Sequence, residues 1–76
     1  MKTIDIRDCH EAFGRYIKVA RERKGLSQEE VAEMAEMSQS YYSRIENGQR
    51  EIDLAVAIRL CASVGTDIRD FINRYL

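Results

Sequence analysis

The sequence predicts an all-α domain built from five short helices. Ser and Asp residues, which favour helix N-caps, precede several runs in which apolar residues recur at helical spacing. Three of these runs are followed by a glycine that can end a helix, and the chain contains no proline. With 76 residues, of which 45% are hydrophobic, the chain can form one small core. We therefore expect a single helical domain with short connections.

The first helix is predicted from about residue 9 to residue 24. Asp8 followed by Glu11 matches a capping box at its start. Residues 1–8 are expected to precede the domain (9–76) as an N-terminal arm. Weak alternation in this stretch allows a short strand, and a frayed terminus is the alternative. The core stripe of the helix comprises Phe13, Ile17 and Ala20.

The second and third helices are predicted at 27–35 and 38–46. Ser27 with Glu30 forms a capping box for the second helix, and the Ser38 hydroxyl can cap the third. These two helices are so close in sequence that only a sharp turn can join them. They form the central unit of the chain.

The fourth and fifth helices are predicted at 54–64 and 68–75, with Asp53 and Asp67 as their N-caps. Each carries an apolar stripe on one side. The stripes comprise Ala57, Leu60, Cys61 and Val64 in the fourth helix and Ile68, Phe71, Ile72 and Tyr75 in the fifth.

The third helix has two chemically different faces. At about 100° per residue, Tyr42 and Ile45 point to one side. The opposite side holds only hydrogen-bonding groups, and Gln39 projects from the first turn. Such a face suits the reading of base edges in a DNA major groove. Its members are Ser40, Ser43, Arg44 and Asn47.

Two segments carry a resemblance to a known family. Residues 25–32 (Gly-Leu-Ser-Gln-Glu-Glu-Val-Ala) and 42–50 (Tyr-Ser-Arg-Ile-Glu-Asn-Gly-Gln-Arg) resemble the helix-turn-helix domain of Cro and the lambda-type repressors, in the XRE family. The resemblance extends over about 13–71. It departs at the turn between the two motif helices, where the family usually has Gly and this chain has Glu36. A non-glycine residue at positive φ is uncommon, so we expect either strain or a slightly different turn there.

The resemblance implies how DNA is contacted. Gln39, Ser40 and Arg44 match positions that reach bases in the family. Chemically, Gln can pair with adenine and Arg with guanine. Gln28, in the first turn of the second helix, matches a backbone contact, with solvent exposure as the alternative. Tyr41 is expected to touch a phosphate or a thymine methyl group. The remaining expected backbone contacts are Ser38, Ser43, Asn47, Gln49 and Arg50.

Two further sets are expected to support this surface. In the family, an Arg at the position of Arg21 pairs with the Glu that matches Glu46, which ties the first helix to the third. The last two helices also carry more large apolar side chains than a small core needs, which suggests a dimer interface; scattered surface hydrophobes are the alternative. The expected interface comprises Ile58, Phe71, Ile72, Tyr75 and Leu76.

The charge and the composition of the chain argue against other classes of protein. The net charge of −1 is unusual for a DNA-binding domain, but residues 15–24 carry five cations against the single acid Glu22. The one histidine and the widely spaced Cys9 and Cys61 form no catalytic or metal-binding pattern. No apolar run approaches a membrane span, so a cytoplasmic protein without cofactor or metal is expected.

The sequence therefore predicts a sequence-specific DNA-binding transcriptional regulator and no enzyme. We expect a repressor that binds a palindromic operator in double-stranded DNA as a homodimer. The alternative is an antitoxin-like or adaptor module that uses the same fold to bind another protein.

Overall fold

The computed structural model describes residues 5–76, apart from the side chain of Ile6. Over these residues the chain forms five α-helices and no strand. The helices are α1 (Ile6–Arg23), α2 (Gln28–Met34), α3 (Gln39–Glu46), α4 (Leu54–Ser63) and α5 (Ile68–Tyr75). The predicted five-helix, all-α fold is confirmed.

The start of α1 differs from the prediction. The helix begins at Ile6, and its N-cap is Asp5, whose carboxylate accepts from the backbone N–H of Arg7 at 2.8 Å. Asp8 instead lies in the first turn, where an acid is favoured by the positive end of the helix. The prediction of a start at residue 9 was therefore wrong, and residues 6–8 are not part of an arm. Residues 1–4 of the predicted arm lie outside the described residues.

The later helix starts follow the predicted caps. The Ser27 hydroxyl accepts from the N–H of Glu30, while the Glu30 carboxylate accepts from the N–H of Ser27. Asp53 and Asp67 cap α4 and α5 in a similar way. Because each helix has its own local start signal, these boundaries are close to those expected.

The core is built from buried side chains of all five helices. α1 packs against α3 and α5, while α2 packs against α3 and α4. The ring of Phe13 on α1 meets that of Phe71 on α5 edge to face, with centroids 5.2 Å apart. Both rings are buried, so α5 completes the core of the single chain. The largest fully buried side chains are Phe13, Ile17, Val31, Tyr42, Ile45, Leu60 and Cys61.

Gly14 determines how closely α1 approaches α3. A Cβ atom at this position would lie 2.3 Å from the carbonyl oxygen of Ile45 and 2.6 Å from that of Glu46. Both oxygens belong to the backbone at the end of α3, so a side chain has no room. The glycine thus permits a helix crossing that sets the position of α3.

Candidate nucleic-acid interface

The candidate interface centres on the exposed side of α3. Ser38 caps this helix by accepting from the N–H of Tyr41 at 3.1 Å. On the inner side, Tyr42 and Ile45 are fully buried. The three side chains expected to read bases are all exposed: Gln39, Ser40 and Arg44. The structure therefore presents them to solvent on a helix that is anchored by its opposite face.

The turn before α3 adopts the unusual conformation expected at Glu36. Its φ is +58°, the only positive value at a non-glycine residue in the described chain. The N–H of Met37 donates to the carbonyl of Ala32 at 2.9 Å, which closes the turn. A glutamate thus takes the left-handed conformation at this turn, which a side chain rarely adopts.

Arg59, on α4, supports the same turn and was not identified from the sequence. Its Nη1 donates to the carbonyl oxygen of Ala35 at 3.2 Å. Ala35 is the C-cap of α2, so its carbonyl lacks a partner further along the helix. The arginine therefore ties α4 to the motif, through a contact with no local signal in the sequence.

A polar network joins the buried end of α3 to α1 and α2. Arg21 Nε donates to Glu46 Oε2 at 2.6 Å, and Arg21 Nη2 donates to Glu46 Oε1 at 3.2 Å. The Tyr42 hydroxyl donates to the same carboxylate. Arg21 Nη1 also donates to the Leu26 carbonyl at 2.9 Å. The structure thus brings together the two residues expected to pair, with the Glu46 side chain only 1% exposed.

The network favours a charged Glu46. Burial by itself would raise the pKa of this carboxyl, but the hydrogen bonds from Arg21, Tyr42 and Gln28 together lower it below its ordinary value. Burial, followed by the hydrogen bond to Glu46, raises the pKa of the Tyr42 hydroxyl. Glu46 is therefore ionised and fully hydrogen-bonded, which is the condition under which a buried charge is tolerated.

Gln28 belongs to this network as well as to the first turn of α2. Its side-chain Nε2 donates to Glu46 Oε1 at 2.9 Å, and the side chain is half-buried. The prediction placed Gln28 against a DNA phosphate. In the structure, the same side chain also links α2 to α3, so a contact with DNA would be held in place by Glu46.

Most of the other expected backbone contacts lie near the two ends of α3, and Ser43 lies within the helix. Ser38 uses its hydroxyl as a cap, and Ser43 is half-buried. The guanidinium carbon of Arg50 lies 4.9 Å from the centroid of the Tyr41 ring, a cation–π arrangement. The exposed members of the set are Ser38, Asn47, Gln49 and Arg50.

Thiols and acids provide no metal centre in the part of the chain that the structure describes. No group of three or more His, Cys, Asp or Glu side chains there is arranged to hold an ion. Cys9 and Cys61 are both free thiols. Burial raises the pKa of Cys61 to about 11, so this thiol is protonated near neutral pH.

The residues expected to form a dimer interface divide into two groups. Phe71 is 3% exposed and belongs to the core, so it is not available as a surface contact. Tyr75 is half-buried, with its ring centroid 4.9 Å from that of Phe71. The exposed members are Ile58, Ile72 and Leu76, and Leu54 on α4 is exposed too. We call these four exposed side chains the apolar patch.

This geometry defines a class of protein: a compact helical domain that presents one polar helix face on a helix-turn-helix motif. The family model described as helix-turn-helix matches residues 17–71. The chain belongs to this family, in its XRE branch, whose members are DNA-binding transcriptional regulators and not enzymes.

Individual relatives agree with this assignment. The chain is 38% identical over 53 residues to the uncharacterized HTH-type transcriptional regulator YqaF of Bacillus subtilis (strain 168), covering 70% of each protein. It is 34% identical over 62 residues to the control protein C.MunI of Mycoplasma sp, covering 80% of this chain and 84% of that one. The restriction-modification controller protein C.AhdI of Aeromonas hydrophila has a similar structure, with a TM-score of 0.73 and 34% identity, over 83% of this chain and 94% of that one.

The helices of the described residues do not include a membrane span. None of them combines the length and the apolar character needed to cross a bilayer.

Proposed function

We propose that the chain is a repressor that binds a palindromic operator as a homodimer, with α3 of each subunit in the major groove. The observation that carries this proposal is the exposure of Gln39, Ser40 and Arg44 on a helix that is anchored by the buried side chains of its other face. A repressor of this kind would act by occupying a promoter, with its two recognition helices about 34 Å apart, one turn of DNA. Selection of bound duplexes from a random DNA pool tests the proposal, because a two-fold symmetric consensus is expected.

Arg44 is expected to read a base pair. It is exposed and is the one basic side chain within α3. If its guanidinium forks onto guanine O6 and N7, Arg44→Ala should cost about 1–3 kcal/mol per half-site and relax the preference at one symmetric base pair. Competition between the selected duplex and its single-base variants measures this effect.

The control for Arg44 is Arg69→Ala on α5. Arg69 pairs with Asp67 at 2.8 Å at the exposed start of that helix, away from α3. This variant should leave both affinity and base preference unchanged. If Arg44→Ala instead weakened every duplex variant by the same factor, Arg44 would be a backbone contact, and Gln39 and Ser40 would be left to read the bases.

The homodimer is expected to form through the apolar patch. Ile58 and Leu76 are 48% and 37% exposed, and their burial against a second chain would remove apolar surface from water. The double variant Ile58→Glu with Leu76→Lys should therefore sediment as a folded monomer at micromolar concentration. The matched control is Val19→Lys with Met34→Glu, which places similar charges at two exposed apolar residues outside the patch. If the variant with Ile58→Glu and Leu76→Lys still forms a dimer, the interface lies elsewhere.

An adaptor that binds another protein is the second candidate. It is favoured by the exposed acids Glu29, Glu33 and Glu36, and by Met34 among them, which is 49% exposed. Acids beside a DNA-binding motif repel phosphate, so they suit a protein partner better. A random duplex pool that yields no enriched sequence, with no salt-dependent binding to duplex DNA, would favour this candidate.

A further inference from the structure

The first turns of α1 lie directly beside the loop that follows α3. Gly48, with φ +72°, starts this loop, and a Cβ atom there would lie 2.7 Å from Cγ of Glu11. This close approach leaves a small cavity of about 250 Å³ between the helix and the loop. The cavity is lined by Arg7 and His10 from α1 and by Gly48, Gln49, Arg50 and Glu51 from the loop.

The cavity is rich in hydrogen-bond donors. Arg7 and Arg50 are both exposed, and His10 is half-buried. The salt bridges among the described residues involve Arg21, Arg69 and Arg74, so neither Arg7 nor Arg50 forms a salt bridge there. Glu51 is the one acid that lines the cavity. Two guanidinium groups at one cavity are suited to an oxyanion with several acceptor atoms, such as a phosphate diester.

Arg50 connects this cavity with the exposed side of α3 that is expected to read bases. Its guanidinium lies over the Tyr41 ring, with 4.9 Å between its central carbon and the ring centroid. Tyr41 and Arg44 are about 60° apart around the helix, at about 100° per residue. Arg50, which lines the cavity, therefore lies over a residue that neighbours Arg44 on the surface of α3. With α3 in the major groove, the sugar-phosphate backbone would flank this part of the helix.

We propose that Arg7, His10, Gln49 and Arg50 form one binding site for a DNA backbone phosphate, in which Tyr41 positions Arg50. The inference rests on the proposed function, since it requires α3 to occupy the groove of the same duplex. It gives α1 a direct role in DNA attachment, through residues of its first two turns. It also assigns to Tyr41 the role of holding a neighbouring cation rather than a separate contact with phosphate or thymine.

The test uses the full chain and the duplex recovered by selection from the random pool. Arg7→Gln removes one charge but keeps the backbone N–H that donates to Asp5. It should weaken binding by about 3- to 10-fold at moderate salt and reduce the salt slope by about one unit per subunit. The loss should be the same for all single-base variants of the duplex. Ethylation interference should show one phosphate per half-site whose modification impairs the wild type more than it impairs Arg7→Gln.

Arg15→Gln is the matched control. Arg15 is an exposed arginine of the same helix, and it lines a groove beside α5 instead of the loop after α3. This variant should keep the wild-type affinity and salt slope. Equal effects of Arg7→Gln and Arg15→Gln, with unchanged interference, would overturn the inference while leaving base reading by Arg44 intact. A pool that yields no bound duplex would instead refute the proposed function.

Two substitutions of Tyr41 test its role in positioning Arg50. Tyr41→Phe keeps the ring and should bind DNA as the wild type does, whereas Tyr41→Leu should weaken binding by a few fold. In an Arg50→Met background, Tyr41→Leu should have no further effect, because the cation that the ring holds is absent. If Tyr41→Leu costs as much in that background as alone, Tyr41 contacts DNA by itself and the positioning role is wrong.

Discussion

Glu46→Ala is expected to destabilise the fold by about 3–5 kcal/mol, the usual cost of removing one partner of a buried ion pair. The Glu46 carboxylate accepts from Arg21, Tyr42 and Gln28, so its removal leaves donors of three helices without their acceptor. The Arg21 guanidinium would then be a largely buried charge held only by the Leu26 carbonyl. Chemical denaturation measures the free energy of unfolding. A loss below about 1 kcal/mol would show that the pair behaves as a surface contact.

Glu46→Gln separates charge from shape in the same network. The amide keeps the volume and one acceptor oxygen but cannot form an ion pair with Arg21. The network lowers the pKa of Glu46 in the folded state. Its stabilising contribution is therefore complete above the unfolded-state pKa and is lost as the pH falls through the folded-state pKa. Between about pH 6 and pH 3, the wild type should consequently lose more stability than Glu46→Gln does.

Gly14→Ala is the second variant for which we expect a large effect. Alanine favours a helix interior over glycine by about 1 kcal/mol, so a gain in stability would be the default expectation. Here, however, the new Cβ would lie 2.3 Å from the Ile45 carbonyl oxygen, and backbone atoms cannot move aside as a side chain can. Overpacking of this kind costs about 1–3 kcal/mol or more, which outweighs the helical preference. We therefore expect a net loss of stability, together with weaker DNA binding, because α3 must shift.

Gly25→Ala is the control for that substitution. Gly25 has φ +70°, but an added Cβ atom would meet no neighbouring atom within 4 Å, so this variant tests backbone strain alone. It should lose about 1–2 kcal/mol of stability and keep its DNA affinity for the folded protein. If Gly14→Ala were as stable as the wild type and bound DNA equally well, the crossing of α1 and α3 would be looser than the structure indicates.

The sequence allowed the fold to be predicted because its signals are local. The capping box of Ser27 and Glu30, and the caps Asp53 and Asp67, each act within three residues and specify where a helix begins. The start of α1 was misplaced for the same reason. Asp5 and Asp8 both precede the same apolar run, and only the extended conformation of Asp5 in the folded chain distinguishes them.

The candidate site was predicted less completely, because several of its contacts join residues far apart in sequence. The pairing of Arg21 with Glu46 came from the family resemblance and not from any pattern in the residues. The bonds from Gln28 to Glu46 and from Arg59 to Ala35 were missed, since periodicity does not report on contacts between helices. Gly14 gave a signal that could have been noticed: an isolated glycine inside a helical run often marks a close approach.

The burial of Phe71 has a consequence for how the protein would respond to its own abundance. Because this ring packs against Phe13 and Tyr16 of the same chain, α5 needs no second subunit to complete the core. A subunit separated from its partner would therefore remain folded, whereas a separated subunit of an obligate dimer would not. In the proposed equilibrium, synthesis and dilution of the protein would shift the chain between a folded monomer and a folded dimer. Only the dimer spans both half-sites of the operator. While monomers predominate, operator occupancy would therefore rise with about the square of the subunit concentration. The occupancy of the operator would then show a threshold as gene dosage increases.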